Sequence, residues 1–271
     1  MVVSGAEPRS RAPEADGEAP PGAHAVAWHD LECGGYRADL PLWLSLAGQL
    51  GGPILDVGAG TGRVTLALAR AGHAVTAVDR EQALLDALVD RATGLAVQTV
   101  CADARSLALA RRDYALCLMP MQTVQLLGGS EGRVAFLRGA REHVRPGGTV
   151  ACAILGELEP FDCSDGRIGP AAERAQVGEL EYVSRAIRVA ESPTTVVIER
   201  ERRIVRRAPS SARGAPPDVE LAHERDTIEL DRLSASRLQR DARAAGLHPE
   251  PALTIAATDE HVGATVVMLG V

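Results

Sequence analysis

A chain of 271 residues holds one large α/β domain with an elaboration or two small domains, and a composition 46% hydrophobic and 24% charged excludes a disordered chain. The formal net charge of −7 leaves no general basic field, which argues against nucleic acid or an anionic membrane as a partner. Aromatic residues make up only 3%, so the core must be built from Ala, Val and Leu, and every cationic side chain is Arg.

Residues 1–23 carry Pro8, Pro13, Pro20 and Pro21 among small and charged residues and read as a disordered tail. A cap follows over 24–51, in which PLWLSLAGQL at 41–50 puts Leu42, Leu46 and Leu50 on one helical face before Gly51 and Gly52 stop it. Strands are expected at 53–57, 74–78, 96–100, 114–118 and 148–155, and helices after Gly60, at 81–92 and at 130–144, with a short one near 104–110. Strand, helix, strand in this order calls for a parallel sheet covered on both faces.

After Leu155 the alternation breaks: 156–178 reads as a loop, and three stretches between 181 and 230 alternate apolar and polar residues as antiparallel strands do. APSSARGAPP at 208–217 predicts a flexible hairpin tip, so residues 156–231 form an antiparallel insertion within one domain spanning 24–271. Arg200, Arg202, Arg203, Arg206 and Arg207 lie along its strands and read as a solvated face or a partner contact. A helix at 234–246 and a closing strand at 263–271 complete the chain.

Five cysteines (Cys33, Cys101, Cys117, Cys152 and Cys163) show no CxxC pair and no metal-ligand spacing, and are expected to be buried reduced thiols with no metal. The N-terminus lacks the apolar run of a secretory signal and no segment reaches spanning length, so the expected location is cytoplasmic.

The informative segment is Asp56-Val57-Gly58-Ala59-Gly60-Thr61-Gly62-Arg63, between an apolar strand and an amphipathic helix. Its glycines allow a tight turn and close approach of a ligand. A dinucleotide site asks for glycine where Arg63 stands, and the acid two places before the first glycine suits a cationic amine while repelling a pyrophosphate.

ILDVGAGTGRVTLALARAGHAVTAVD resembles the first motif and second strand of class I S-adenosylmethionine-dependent methyltransferases of the small-molecule type. The resemblance covers 36–155 well and 234–271 in outline. It implies a Rossmann-like, seven-stranded, mostly parallel sheet with helices on both faces and an inserted antiparallel β cap. It also implies S-adenosylmethionine as cofactor, with S-adenosylhomocysteine as product. Gly58, Ala59 and Gly60 would lie against the methionine portion, with Asp56 holding its amino group. Asp79, followed by Arg80, would receive the ribose hydroxyls, although an Asp there is also a good helix cap. Asp103 between Ala102 and Ala104 would meet the adenine, a surface turn being the alternative. Met119, after the fourth strand, would touch the cofactor, while Gln122 and Gln125 would meet substrate; Met119 and Met121 equally suit a core. Arg145-Pro146-Gly147-Gly148 resembles the family's RPGG turn, and His143 reads as structural.

A sulfonium methyl group is already activated, so alignment of the acceptor and exclusion of water do most of the work. A general base is optional, with His29, Tyr36 and His223 as candidates beside His24, Asp30, Glu157 and Asp162. Tyr36 is also placed as a residue closing over the cofactor, and each histidine has a structural alternative. The implied reaction is methyl transfer to an N, O or C nucleophile of a small-molecule metabolite. A non-catalytic cofactor-binding or dimerisation module on this fold is the alternative, and an NAD-dependent oxidoreductase fits less well, because Arg63 breaks its glycine pattern. Exposed edges of the insertion offer surfaces for a homodimer.

Overall fold

The structure is a computed structural model that describes residues 22–208, 217–258 and 261–271. The expected N-terminal tail lies outside the described residues except for positions 22 and 23, which open the first helix. Likewise, most of the expected hairpin tip at 208–217 falls outside them.

Two helices precede the sheet, α1 (Ala23–Cys33) and α2 (Leu40–Leu50). The sequence reading anticipated α2 and its stop at Gly51 but not α1. There follow β1 (Ile54–Val57), α3 (Arg63–Arg70), β2 (Val75–Asp79), α4 (Gln82–Arg91), β3 (Val97–Cys101) and β4 (Tyr114–Met119). Next come α5 (Gly129–His143) and β5 (Val144–Leu155). The insertion supplies β6 (Phe161–Asp162), β7 (Glu173–Val177), β8 (Leu180–Glu191), β9 (Thr195–Arg206) and β10 (Val219–Asp231). The chain closes with α6 (Ala235–Ala244), β11 (His248–Pro249), β12 (Leu253–Ile255) and β13 (Ala264–Gly270).

The main sheet runs β11-β13-β5-β4-β1-β2-β3, with β12 also paired to β13. β1 to β5 are mutually parallel, and β13 lies antiparallel to β5. The sheet has eight strands where seven were expected, because the chain after α6 adds two short pieces, β11 and β12, to β13. All residues of β1 and β4 are buried, as strands covered on both faces require. Leu55, Cys117, Phe136, Leu137 and Leu238 fill the space under α5 and α6. On the other face Trp43, Leu46, Val64, Leu68 and Leu118 pack under α2 and α3. Burying each such aliphatic side chain stabilises by roughly 1.5–3 kcal/mol. The strand order reverses between β1 and β4, and open α/β folds bind ligands in the crevice beyond such a pair.

The insertion is a second, antiparallel sheet ordered β10-β9-β8-β6, with β7 also pairing β8. Both β6 and β7 lie in the stretch expected as loop. The insertion leaves the main sheet at Leu155 and returns at Asp231, and Gln125 ties the two ends together. Its side-chain oxygen accepts from Leu155 N at 2.8 Å and its amide donates to Asp231 O at 2.9 Å. A second tie comes from Arg133 on α5, fully buried, which pairs with Asp231 and with Asp241 of α6. His143 is structural, accepting from Leu109 N through Nε2 while its Nδ1 lies 2.7 Å from Gly139 O.

All five cysteines are free. Cys117, Cys152 and Cys163 are buried, whereas Cys33 is only partly so and Cys101 is exposed at the end of β3, contrary to the expectation for all five. Among the described residues, no helix is long and apolar enough to cross a membrane and no group of His, Cys, Asp and Glu could hold a metal ion.

Candidate active site

The crevice beyond β1 and β4 opens into a cleft of about 640 Å³. Its floor is the turn between β1 and α3, where Gly58, Gly60 and Gly62 have φ of +77°, +54° and +94°. These left-handed values favour glycine. The glycines are also enforced by packing. A Cβ on Gly58 would stand 2.5 Å from Thr123 Cγ2, and one on Gly60 would stand 2.2 Å from His29 Nε2.

Asp56 closes the floor. It is fully buried, Thr65 Oγ1 donates to its Oδ2 at 2.6 Å, and its Oδ1 has no hydrogen-bond partner among the described residues. Burial pushes its carboxyl up to about 6, against the pull of the Thr65 hydrogen bond. A buried acceptor without a donor is costly unless a ligand supplies one. An ammonium group fits that requirement.

Asp79 ends β2 on the same side. Gly60 N donates to its Oδ2 at 2.8 Å and Glu81 N to its Oδ1 at 3.0 Å, so the carboxylate locks the glycine turn to the start of α4. The capping alternative takes a modified form, because Glu81 occupies the N-cap of α4. Ala102, Asp103 and Ala104 line the far end with Arg80. Asp103 receives the Arg105 backbone N–H at 2.8 Å and a two-pronged grip from its guanidinium, which holds its carboxyl down to about 2.

The opposite wall comes from α1. Ala25, Trp28, His29, Glu32 and Cys33 line the cleft at i, i+3, i+4, i+7 and i+8, one face of a helix. Thr61 Oγ1 donates to Asp30 Oδ1 at 2.7 Å and lies 3.2 Å from His29 Nδ1. The hydroxyl has a single proton, and it is spent on Asp30, so His29 Nδ1–H donates to Thr61 and Nε2 keeps its lone pair beside Gly60. Burial pushes the His29 imidazolium below its usual range, outweighing the nearby Asp30 and Asp79. Cys33 is pushed up to about 11 by burial and stays a thiol.

The roof belongs to the insertion, where Arg202, Asp226 and Ile228 face the cleft, and the side wall is the turn Pro120–Thr123 with Leu126 and Leu127. Gln122 lies on that wall.

Several expected residues are elsewhere. Met119 is buried in the core under α5, because the last residue of β4 still points into the sheet's covered face. Gln125 is consumed by the tie between Leu155 and Asp231. Tyr36 does not line the cleft. Its ring packs against His261 at 5.0 Å and under the Arg63 guanidinium at 5.2 Å, which Asp39 holds in place. His223 is half-exposed beside Glu201 in a separate depression of about 460 Å³ that also takes in Arg174, Arg185 and Arg203. Alternation along β9 and β10 sends Arg202 and Asp226 inward and Arg203 and His223 outward. His24 meets the Tyr182 hydroxyl at 2.8 Å, and Asp162 is exposed against Ser164. The sequence reading did not single out Trp28, Glu32 or Asp226.

This fold and this glycine turn are the ones that the sequence's resemblance to class I methyltransferases implied. Residues 54–148, from β1 into the first part of β5, match the family described as a methyltransferase domain. A curated relative, cypemycin N-terminal methyltransferase from Streptomyces sp, is 37% identical over 129 residues, 47% of this chain and 49% of that protein. The chain thus matches about half the length of that relative. Among solved structures, the sugar N-methyltransferase KedS8 from Streptoalloteichus sp superposes with a TM-score of 0.65 at 15% identity, covering 97% of this chain and 98% of the other. CalS10 bound to S-adenosylmethionine, an amino pentose methyltransferase from Micromonospora echinaspora, gives 0.63 at 16% identity over 90% and 95%. These structural likenesses establish the fold of nearly the whole chain, insertion included, and agree with the resemblance read from the sequence.

Proposed function

We propose that this protein transfers a methyl group from S-adenosylmethionine to the nitrogen of a small-molecule amine. The observation that carries the reading is the unpartnered, fully buried Oδ1 of Asp56 beneath a glycine turn in the main cleft. Asp56 would hold the cofactor's amino group, the Gly58-Ala59-Gly60 backbone its methionine portion, and Asp79 with Arg80 its ribose. Ala102, Asp103 and Ala104 would flank the adenine; Tyr36, Met119 and Gln125 have no part in this assignment. When bound, the cofactor supplies a methyl group on a sulfonium, which a nucleophile's lone pair takes while the electron pair of the breaking bond stays on sulfur.

The protein's own contribution is alignment and exclusion of water by the α1 wall and the insertion roof. His29, which lines the cleft and is fixed in tautomer by Thr61, would take the proton that an amine must lose. Nitrogen is favoured because the curated relative is named an N-terminal methyltransferase, KedS8 a sugar N-methyltransferase and CalS10 an amino pentose methyltransferase. Calorimetric titration with S-adenosylmethionine and S-adenosylhomocysteine, with NAD as control, tests the reading. Micromolar binding of the sulfur compounds, weakened in Asp79→Ala, is expected; no binding, or preference for NAD, overturns it.

A further inference from the structure

The cleft lining divides by element into what are termed its two ends: the glycine turn, Asp79 and Ala102–Ala104 follow β1, β2 and β3, while Trp28 and Glu32 come from α1 and Arg202, Asp226 and Ile228 from the insertion, with Leu126 from the turn after β4. The charges at the second end are unevenly committed. Glu32 uses both oxygens, accepting from Arg202 Nε at 2.8 Å and Nη2 at 2.7 Å, and from Ser184 Oγ at 2.8 Å. The remaining prong of Arg202, Nη1, lies 2.9 Å from Asp226 Oδ1, and its guanidinium also covers the Trp28 ring at 5.3 Å. Arg202 is therefore engaged at all three of its nitrogens.

Asp226 meets Arg202 through Oδ1, and among the described residues its Oδ2 has no hydrogen-bond partner. Its side chain retains 28% of its exposure, against 8% for Glu32. Two carboxylates against one guanidinium leave one net negative charge facing the cavity. Among the described arginines of the cleft, Arg80 alone makes no ion pair, and it follows Asp79 on the cofactor side. Arg200, directly across the ladder from Asp226, is held by Glu173, Arg63 by Asp39, and Arg105 by Asp103. Leu126, half-exposed, and Ile228 give the same end an apolar side.

We propose that this end is the acceptor subsite and that Asp226, oriented by the Glu32–Arg202 pair, anchors a cationic amine that also carries an apolar portion. The inference rests on the methyltransferase reading, which places the cofactor at the other end of the cleft. A charge-assisted contact to a half-shielded carboxylate selects an ammonium over a neutral hydroxyl of the same shape and repels a carboxylate. Glu32 and Arg202 act as positioning residues, because they fix the Asp226 side chain while keeping their own groups paired.

The test uses the full chain saturated with S-adenosylhomocysteine, and ligand-observed NMR with three probes of one shape: 2-phenylethylamine, 2-phenylethanol and phenylacetate. The amine is expected to bind about tenfold or more tightly than the alcohol, with the carboxylate weakest. Asp226→Asn should abolish the preference and Asp226→Glu should restore most of it, with S-adenosylhomocysteine affinity unchanged by calorimetry in both. Equal binding of amine and alcohol, binding of none of the three, or a preference that survives Asp226→Asn overturns the subsite. Failure of the wild-type chain to bind S-adenosylhomocysteine overturns the methyltransferase reading instead.

Discussion

Replacing Asp56 by Asn should make the ligand-free protein more stable at neutral pH while weakening cofactor binding. In the folded chain the carboxyl ionises at about 6 rather than 3.8, so the native state holds its proton longer than the unfolded one. The stabilisation this gives is fully present below pH 3.8 and is lost as pH rises through about 6. At about 1.4 kcal/mol per pH unit, the ionised side chain costs about 3 kcal/mol above that range. Asn removes the charge and can still accept from Thr65, but its amide places a donor where Oδ1 had no partner, which costs about 1 kcal/mol. The net stabilisation expected near pH 8 is about 2 kcal/mol, turning into a loss of about 1 kcal/mol near pH 4. Urea unfolding of both proteins at the two pH values measures the difference, and calorimetry measures S-adenosylhomocysteine affinity, expected to fall about tenfold or more. A stability difference that does not change between the two pH values refutes the account of Asp56, and undiminished affinity refutes its role toward the cofactor.

Arg133→Met should destabilise by about 3–5 kcal/mol in urea unfolding, because Asp231 and Asp241 are left facing each other without their shared cation, and a loss under 1 kcal/mol would show that the tie is dispensable. For His29, the acid limb of the kcat/KM profile is expected below the usual histidine range, as burial dictates, and His29→Gln should lower the rate and flatten that limb; an unchanged profile in the variant would exclude proton transfer through this ring.

The parallel half of the fold was legible because each strand is an unbroken apolar run and each helix an amphipathic one: ILDV and YALCLM have no other use than a sheet buried on both faces. The glycine-turn side of the cleft was legible for a related reason, since Asp56, the glycines and Asp79 sit at fixed offsets from those strands. α1 escaped because its inward face lines a polar cavity, so Ala25, Trp28, His29, Glu32 and Cys33 mix apolar, titratable and charged residues where periodicity looks for an apolar stripe. Gln125 and Arg133 were unreadable for another cause. Their partners at Leu155, Asp231 and Asp241 lie 30, 98 and 108 residues away, joined only by the path of the insertion. Tyr36 was misplaced because the Arg63–Asp39 pair offered its ring a cationic surface that no local pattern reveals. The basic run on β9 looked uniform in sequence, yet alternation splits it, giving Arg202 to the cleft and Arg203 to the outer depression.

The close approach of Thr123 to Gly58 and of His29 to Gly60 bears on how such chains can be told apart in lineages that have lost activity. Those glycines are demanded by the protein's own side chains, so a descendant that bound no ligand in the cleft would keep them simply to stay folded. The Asp56 carboxyl is under the opposite pressure: without a ligand to compensate its ionised form it is a burden, and drift toward Asn, Ser or an apolar residue would be rewarded. An intact acid before the glycine turn is therefore a better mark of a retained ligand than the glycines are.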